Sequence, residues 1–318
     1  MSTQAAVQRP KPGRWTAGEK QVIPWVLLFL SPWIIGLIVF TAIPMGWSLW
    51  LSFTNYDPLT EHADFIGIAN YQAMMADSRV WLSLGNTLYF TVLYVPLSCA
   101  LGLVLALILN RAGGWTAGFF RTAFYLPNLT PAVAVGTLFL LILNGQSGLL
   151  NQALGAIGID GPSWLNDGGW VKNGIVIMML WSIGGTIIIY FAALRNVPGE
   201  LYEASKIDGA SQWKQFWNIT VPMISGALFF TIVINTIASL QLFSEIYTMF
   251  YGQQQGVSAG SERNALFYVV YLFRNAFEFF KMGYASALAW ILFFLLLGMT
   301  LLVFRSSALW VYYEGERG

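Results

Sequence analysis

The stretch SLGNTLYFTVLYVPLSCALGLVLALIL, residues 83–109, decides the fold class of this chain. It contains no charged side chain and exceeds the length of about 20 residues that an α-helix needs to cross a hydrocarbon core of ~30 Å. Comparable apolar stretches recur along the chain, and the full set covers residues 24–51, 83–109, 122–144, 174–194, 223–250 and 285–304. The pattern predicts an all-α polytopic membrane protein with six transmembrane helices.

The composition of the whole chain supports this fold class. Of its 318 residues, 57% are hydrophobic and 10% are charged, whereas an average soluble domain carries about 25% charged residues. The net charge of +1 gives no indication of a nucleic-acid partner. We expect membrane lipid to surround the apolar stretches instead.

The residue inventory excludes several classes of site. The single cysteine, Cys99, cannot form an internal disulfide bond, and the single histidine, His62, rules out a histidine-rich metal site. The phosphate-binding sequence GxxxxGK[ST] does not occur, so the chain lacks a nucleotide-binding loop of that type. We expect no metal, no cofactor and no enzymatic activity in this chain.

The distribution of basic residues predicts the orientation. If the N-terminus lies in the cytoplasm, most of the 16 lysine and arginine residues fall on the cytoplasmic side, as they do in membrane proteins generally. Both termini are then cytoplasmic. The predicted organisation is a tail over residues 1–22, a six-helix domain over 23–305 and a second tail over 306–318. A polar connector over 195–222, between the fourth and fifth stretches, would also be cytoplasmic.

The connector 195–222 combines charge with more apolar surface than a simple link requires. Charges cost about 2.5–3.5 kcal/mol each at the centre of a membrane helix, so this segment must lie in water. Its charged residues are Arg195, Glu200, Glu203, Lys206, Asp208 and Lys214. Its apolar residues include Leu201, Ala204, Ile207, Trp213, Phe216 and Trp217.

The spacing of these residues predicts two short helices. The first is expected over residues 200–208 and ends at Gly209, since glycine readily adopts the left-handed conformation that closes a helix. Ser211 is placed to cap the second helix. From the residues alone, lipid headgroups and a protein partner remain equally good candidates for what the apolar faces contact.

The connector resembles the EAA loop of ABC importer permeases. The matching positions are Glu203-Ala204-Ser205, Gly209 after three residues, Ile219 after nine more, and Val221-Pro222 after one more. The segment EASKIDGAS, residues 203–211, is similar to the sugar-importer version of this loop. Ser205 stands where alanine is usual in the family, and Val221 stands where leucine is usual.

The resemblance covers nearly the whole chain. The further motifs follow one another in the same order as in the maltose- and glycerol-phosphate-type carbohydrate permeases. The further matching segments are SFTNYD at 52–57, FIGIANY at 65–71, Asn86-Thr87, Leu126-Pro127, GLLN at 148–151, Phe243, Ile246-Tyr247, Met249 and MGYASALA at 282–289. One loop departs from the family: Gln253-Gln254-Gln255-Gly256 stands where Gly-Gly-Pro is often found. The resemblance therefore does not imply that this loop of the chain contacts an outside partner.

The resemblance implies an architecture, a location and partners. The architecture would be that of a type I ABC importer permease in the cytoplasmic (inner) membrane of a prokaryote. A second, related and distinct permease subunit would complete the channel, and two ATP-binding subunits would bind ATP and Mg. An extracytoplasmic solute-binding protein would deliver the solute. The segment 195–222 would be a coupling loop seated on an ATPase subunit.

The resemblance also assigns roles within the coupling loop. Glu203 would make charge-assisted hydrogen bonds to the ATPase, while Asp208 and Gly209 would set the turn. Ala204 and Ala210 would permit close approach. The complete set of coupling residues is Glu203, Ala204, Ser205, Asp208, Gly209 and Ala210.

A polar stripe in the fifth apolar stretch is the candidate solute path. Its first members are four residues apart and share one helix face, and polar groups within membrane helices usually face the bundle or a cavity. The path residues predicted are Thr231, Asn235, Ser239, Gln241, Phe243 and Ser244. Hydrogen bonding between helices is the alternative role for each of them. Asn128 and Thr130 are weaker candidates, since helix capping also explains them.

The function expected is ATP-driven import of a sugar or sugar-like solute by alternating access. The alternative is a secondary transporter or channel that works alone. Such a protein would use ionisable groups within the membrane as ion relays, and Glu245, near one end of a stretch, is the only acidic candidate. A membrane-embedded enzyme is a third alternative, but it would require a cluster of reactive polar groups.

Overall fold

The computed structural model describes residues 17–252 and 263–312, which are predominantly helical and joined by loops such as 52–68. The helices are α1 Ala17–Leu37, α2 Ile43–Leu51, α3 Ala69–Ala76, α4 Ser78–Ala112, α5 Gly114–Tyr125, α6 Ala132–Ile142, α7 Leu149–Ala156, α8 Val171–Leu180, α9 Gly184–Arg195, α10 Gly199–Ile207, α11 Gln212–Gln215, α12 Val221–Met223, α13 Ser225–Leu240, α14 Ser244–Phe250, α15 Tyr268–Phe273 and α16 Met282–Ser307. Pairing between extended segments in the described part is limited to the bridges Thr54–Phe65 and Asp57–His62. The predicted helical class is confirmed. The Gln253–Gly256 departure lies outside the described residues.

Within the described residues, four helical segments are long and apolar enough to cross a membrane. They are Pro24–Leu51, Ser78–Ala112, Ser225–Phe250 and Met282–Ser307. Two further crossings arise only if a bent pair counts as one span: Gly114–Leu129 with Ala132–Ile142, bent by 100°, and Val171–Leu180 with Gly184–Arg195, bent by 48°. The stretches 122–144 and 174–194 are therefore not the continuous helices that their hydropathy alone suggests.

The sharper bend follows from proline chemistry. Thr130 is extended (φ −76°, ψ 129°), as expected for a residue that precedes a proline. Pro131, which follows it, cannot donate a backbone hydrogen bond, so the helix ends before this pair and restarts at α6. At the second bend, Gly184 packs against the backbone carbonyl of Phe124, where a Cβ would clash. The two bent pairs therefore meet at their breaks.

The centre of the fold is α4, which packs against α9 and α13. Gly102 permits this approach, because a Cβ there would lie 2.8 Å from the Thr186 side chain. Small residues allow close contact between membrane helices in this way. Phe90, fully buried in α4, stacks on Tyr94 at a centroid distance of 5.2 Å and meets Phe267 edge-on at 5.5 Å.

The first span stands apart from this centre. In the most apolar part of Pro24–Leu51, no residue is buried within the chain. It carries Pro32 inside α1 and a π-helical segment, Ile38–Ala42, just before Pro44. Its side chains are apolar around the whole helix, so hydrocarbon or another apolar protein surface must surround it.

Polar side chains fix one end of α4 to the segment before α15. Asn86 donates from Nδ2 to the carbonyl oxygens of Arg263 at 3.1 Å and Leu266 at 3.0 Å. The Thr87 hydroxyl accepts from the backbone N–H of Tyr268 at 2.9 Å. The Asn86-Thr87 pair therefore satisfies backbone groups of a distant loop, which explains two polar residues within an apolar stretch.

Candidate functional site

The connector forms two short helices joined by a tight turn, as predicted. Gly209 has φ +74°, a conformation that glycine adopts without the steric penalty of a side chain. Its backbone N–H donates to the carbonyl of Lys206 at 3.0 Å, and the N–H of Ala210 donates to Ser205 at 2.9 Å. The Ser211 hydroxyl accepts from the N–H of Lys214 at 3.4 Å. Both predicted turn elements are confirmed.

Ser205 locks the two connector helices together. Its hydroxyl accepts a hydrogen bond from Nε2 of Gln215 at 2.9 Å and donates to the carbonyl of Tyr202 at 2.9 Å. Gln215 is only 8% exposed. The Tyr202 hydroxyl in turn lies 2.9 Å from that of Thr220. The serine that departs from the family's usual alanine therefore has a structural role that the sequence did not reveal.

Replacement of Ser205 with alanine is expected to loosen the connector without unfolding the chain. The buried Gln215 amide would lose a partner, at a cost of about 1–3 kcal/mol. Amide hydrogen exchange across residues 199–220 should accelerate by roughly ten- to hundredfold. The matched control is Ser147→Ala at an exposed loop position, and unchanged exchange in the Ser205 variant would contradict the locking role.

The opposite face of α10 is uncovered. Leu201, Ala204 and Ile207 lie one turn apart and are all exposed, with Ile207 88% exposed. Glu203, beside them, is also exposed, and no ion pair involves it among the described residues. This apolar strip is therefore available for contact with another surface, with the Glu203 carboxylate beside it.

The second connector helix adds an exposed aromatic cluster. Trp213 stacks on Phe216 at 6.0 Å and meets Trp217 edge-on at 5.7 Å. Trp213 remains 70% exposed. Asp208 is exposed and Ala210 half-buried at the turn between the two helices. Of the predicted coupling residues, Glu203, Ala204, Asp208 and Gly209 thus face outward, whereas Ser205 faces inward.

A polar groove of about 180 Å³ lies where the two bent pairs meet α4 and α13. The amide of Asn128 donates to the carbonyl of Ser182 and accepts from the N–H of Gly185 at 3.2 Å. The groove is lined by Tyr94, Asn128, Ser182, Ile183, Gly185, Thr186, Ile189, Phe230, Thr231, Ile234 and Asn235. The lining combines hydroxyl and amide groups with aliphatic and aromatic side chains.

The predicted polar stripe is split between two environments. Asn235 is half-buried and lines the groove, with Nδ2 donating to the hydroxyls of Ser98 at 3.2 Å and Thr186 at 3.4 Å. Thr231 also borders the groove, but its buried hydroxyl bonds to that of Tyr190. Ser239 is buried and donates to the Thr91 hydroxyl at 3.0 Å. Interhelical bonding, the alternative role, thus accounts for Ser239.

The remaining path residues lie at a break between α13 and α14. Phe243 has a non-helical backbone and stacks against Phe273 at 4.7 Å. Gln241 is exposed at the end of α13, and Ser244 begins α14. None of the three lines the groove formed by the described residues. The sequence analysis overlooked Ser182 and Thr186. Both residues interrupt an apolar stretch beside Gly184-Gly185, and this interruption could have identified them.

Comparison with known proteins agrees with this geometry. Residues 98–310 match the family model described as "Binding-protein-dependent transport system inner membrane component". The chain is 37% identical over 291 residues to the probable ABC transporter permease protein YesP of Bacillus subtilis, covering 91% of this chain and 92% of that protein. It is 34% identical to the lactose transport system permease protein LacF of Rhizobium radiobacter, covering 88% and 93% respectively.

The solved structures supply the same fold. A chain of a bacterial alginate ABC transporter, in complex with an alginate pentasaccharide-bound periplasmic protein, superposes with a TM-score of 0.78 at 23% identity. The match covers 91% of this chain and 96% of that chain. The chain therefore belongs to the family of binding-protein-dependent transport system inner membrane components, whose members found here are ABC transporter permeases.

Proposed function

We propose that this chain is the permease subunit of an ATP-driven importer and moves a sugar or sugar-like solute by alternating access. The observation that carries the proposal is the uncovered face of α10. Its Leu201, Ala204 and Ile207 are exposed on a connector that the Ser205–Gln215 bond holds in place. A rigid helix with an unused apolar strip is suited to transmit motion from a partner.

A protein partner explains the connector better than a lipid surface does. Helices that lie on membranes are typically rich in lysine and arginine, which attract anionic headgroups. Residues 199–208 carry Glu200, Glu203 and Asp208 against a single lysine, Lys206. Acidic side chains beside the apolar strip would be repelled by an anionic leaflet. They are favourable opposite basic or amide groups of a protein cleft.

The partner that fits is a separate ATPase. The chain has no phosphate-binding loop of its own, so ATP and Mg would bind to two ATP-binding subunits. One chain supplies one connector, and a second permease subunit would supply the other. The exposed first span, Pro24–Leu51, would contact lipid and that second permease. The assembly would lie in the inner membrane of a prokaryote, with six spans and both termini in the cytoplasm.

The groove at the helix breaks is the proposed solute path. Closure of the ATPase pair would move α10, and two permease subunits would rock so that the groove opens to one side and then the other. ATP would bias this equilibrium by its higher affinity for the closed state. An extracytoplasmic binding protein would deliver the solute. No covalent step occurs in this chain.

Purification of the tagged chain from its native membrane tests the proposal. We expect a second permease and a nucleotide-binding subunit to co-purify, and ATP hydrolysis to rise when the loaded solute-binding protein is added. As the control, the chain is reconstituted without its partners and is expected to move no solute. Uptake at the full rate by the isolated chain would instead indicate a stand-alone transporter or channel.

A further inference from the structure

A second polar pocket, of about 450 Å³, lies at the end of the molecule opposite the connector. We call it the arginine pocket, and its lining includes Arg79, Arg263, Arg274, Tyr251, Tyr271 and Phe279. The connector leads directly into the span Ser225–Phe250, and Tyr251 follows the other end of that span. The pocket therefore lies across the membrane from the connector, and no sequence motif drew attention to it.

The lining of the arginine pocket is strongly cationic. Among the described residues that line it are three guanidinium groups and no carboxylate. The only ion pair among residues 17–252 and 263–312 joins Nε of Arg274 to Glu278 at 2.7 Å. Neither Arg79 nor Arg263 forms an ion pair in that part of the chain, although the Asp77 carboxylate interacts with the charge of Arg79. Concentration of cations in one concave site favours an anionic ligand.

Neighbouring side chains hold the Arg274 guanidinium group in position. Arg274 lies over the rings of Tyr251 at 4.8 Å and Phe279 at 5.4 Å. Glu278, its ion-pair partner, also accepts from the Tyr247 hydroxyl at 3.2 Å. The pair uses Nε of the guanidinium, and five N–H donors are available on an arginine. Arg274 is thus oriented while its remaining donors can serve a ligand.

Asp77, an acid beside the pocket, is already engaged. Asp77 accepts hydrogen bonds from the hydroxyls of Tyr271 and Tyr284 and from the backbone N–H of Arg79. Partial burial raises the pKa of Asp77, but these hydrogen bonds outweigh burial and lower it below its ordinary value. Asp77 therefore stays ionised and fixes Tyr271 at the pocket wall. It caps α4 rather than lining the pocket.

The pocket has the size and surfaces of a saccharide site. Its volume falls within the range of roughly 300–1,000 Å³ that small-molecule sites occupy. Tyr271 and Phe279 add aromatic rings to the lining beside the guanidinium groups. Arginine binds carboxylates with two parallel hydrogen bonds, so the pairing of arginine with aromatic rings matches a sugar ring that bears a carboxylate.

We propose that the arginine pocket binds the carboxylate of a sugar acid on the side of the membrane where the solute enters. The inference rests on the proposed import function and narrows its substrate class from neutral sugars to saccharides that carry a uronic acid. No charged side chain is found among the described residues that line the groove near Asn235. The arginine pocket would thus recognise the carboxylate of the solute, and the groove near Asn235 would recognise its hydroxyl groups.

Calorimetric titration of the complete importer in lipid nanodiscs tests the inference. The probes are D-galacturonate against D-galactose and D-glucuronate against D-glucose. We expect at least one acid to bind about tenfold more tightly than its neutral counterpart, because hydrogen bonds to charged groups contribute about 1.5–3 kcal/mol. Arg79→Ala and Arg263→Ala should each remove most of that preference, Arg79→Lys should retain part of it, and added salt should weaken it. Arg111→Ala, at the far end of the same helix, is the matched control.

Three outcomes would overturn the inference. The first is equal affinity for acid and neutral sugars, and the second is an acid preference that survives both arginine variants. The third is loss of solute-binding-protein association in Arg79→Ala with unchanged sugar-acid affinity, which would make the pocket a protein contact. In all three cases, ATP hydrolysis that the binding protein stimulates in the unaltered importer would leave the proposed import function intact. Absence of any associated ATPase would instead refute the import function alone.

Discussion

Replacement of Ala204 with tryptophan is expected to lower ATP-driven uptake by about ten- to hundredfold while the chain remains folded and in the membrane. Ala204 is exposed on α10, so a larger side chain meets nothing in its own chain. Against a partner's cleft the same side chain would be overpacked, at a cost of about 1–3 kcal/mol. The measurement is uptake into cells or vesicles, together with ATP hydrolysis by the purified complex.

The matched control is Ala112→Trp, an exposed alanine at the end of α4 that the proposed topology puts on the connector's side of the membrane. This control should transport normally. The expected signature of the Ala204 variant is continued ATP hydrolysis with little uptake, or loss of the ATPase subunit on purification. Full transport with normal coupling in the Ala204 variant would show that α10 does not take part in coupling.

Replacement of Asn235 with leucine is expected to weaken solute affinity during transport by about ten- to hundredfold. Asn235 is the half-buried amide of the polar stripe that lines the groove. Leucine has a similar volume but neither donates nor accepts hydrogen bonds. A site that hydrogen-bonds a hydroxyl group loses about 1–3 kcal/mol when its partner is removed. The KM for uptake should rise, while ATP hydrolysis stimulated by the binding protein stays near its original rate.

Ser239→Ala serves as the comparison for the Asn235 variant. Ser239 lies on the same helix face, but its hydroxyl is buried against Thr91. Its loss should lower the thermal stability of the complex slightly and leave the KM unchanged. A KM that responds equally to both substitutions, or to neither, would contradict the assignment of the groove as the solute path.

The connector shows how far local sequence rules reach. Gly209 and Ser211 were identified correctly because a left-handed turn and a helix cap are determined by neighbouring residues alone. For Ser205 the sequence showed only that serine stands where the family usually has alanine. Its bond to Gln215 depends on how one short helix folds back on the next, and spacing within either helix contains no information about that angle.

The polar stripe shows the same limit for the candidate solute path. A four-residue spacing establishes that Thr231, Asn235 and Ser239 share a face, but it does not identify the neighbour that the face meets. The fold places Ser239 against α4 and leaves Asn235 beside a groove. That groove exists because two bent pairs meet at Gly184, whose lack of a side chain admits the backbone of Phe124.

The sequence by itself determined the membrane class, the approximate spans and the two helices of the connector, because apolar length and capping chemistry are properties of contiguous residues. The tertiary structure alone decided the bends, the groove and the arginine pocket. Arg79, Arg263 and Arg274 come from distant parts of the chain and line one pocket. Only helix packing brings such residues together, since no local interaction connects them.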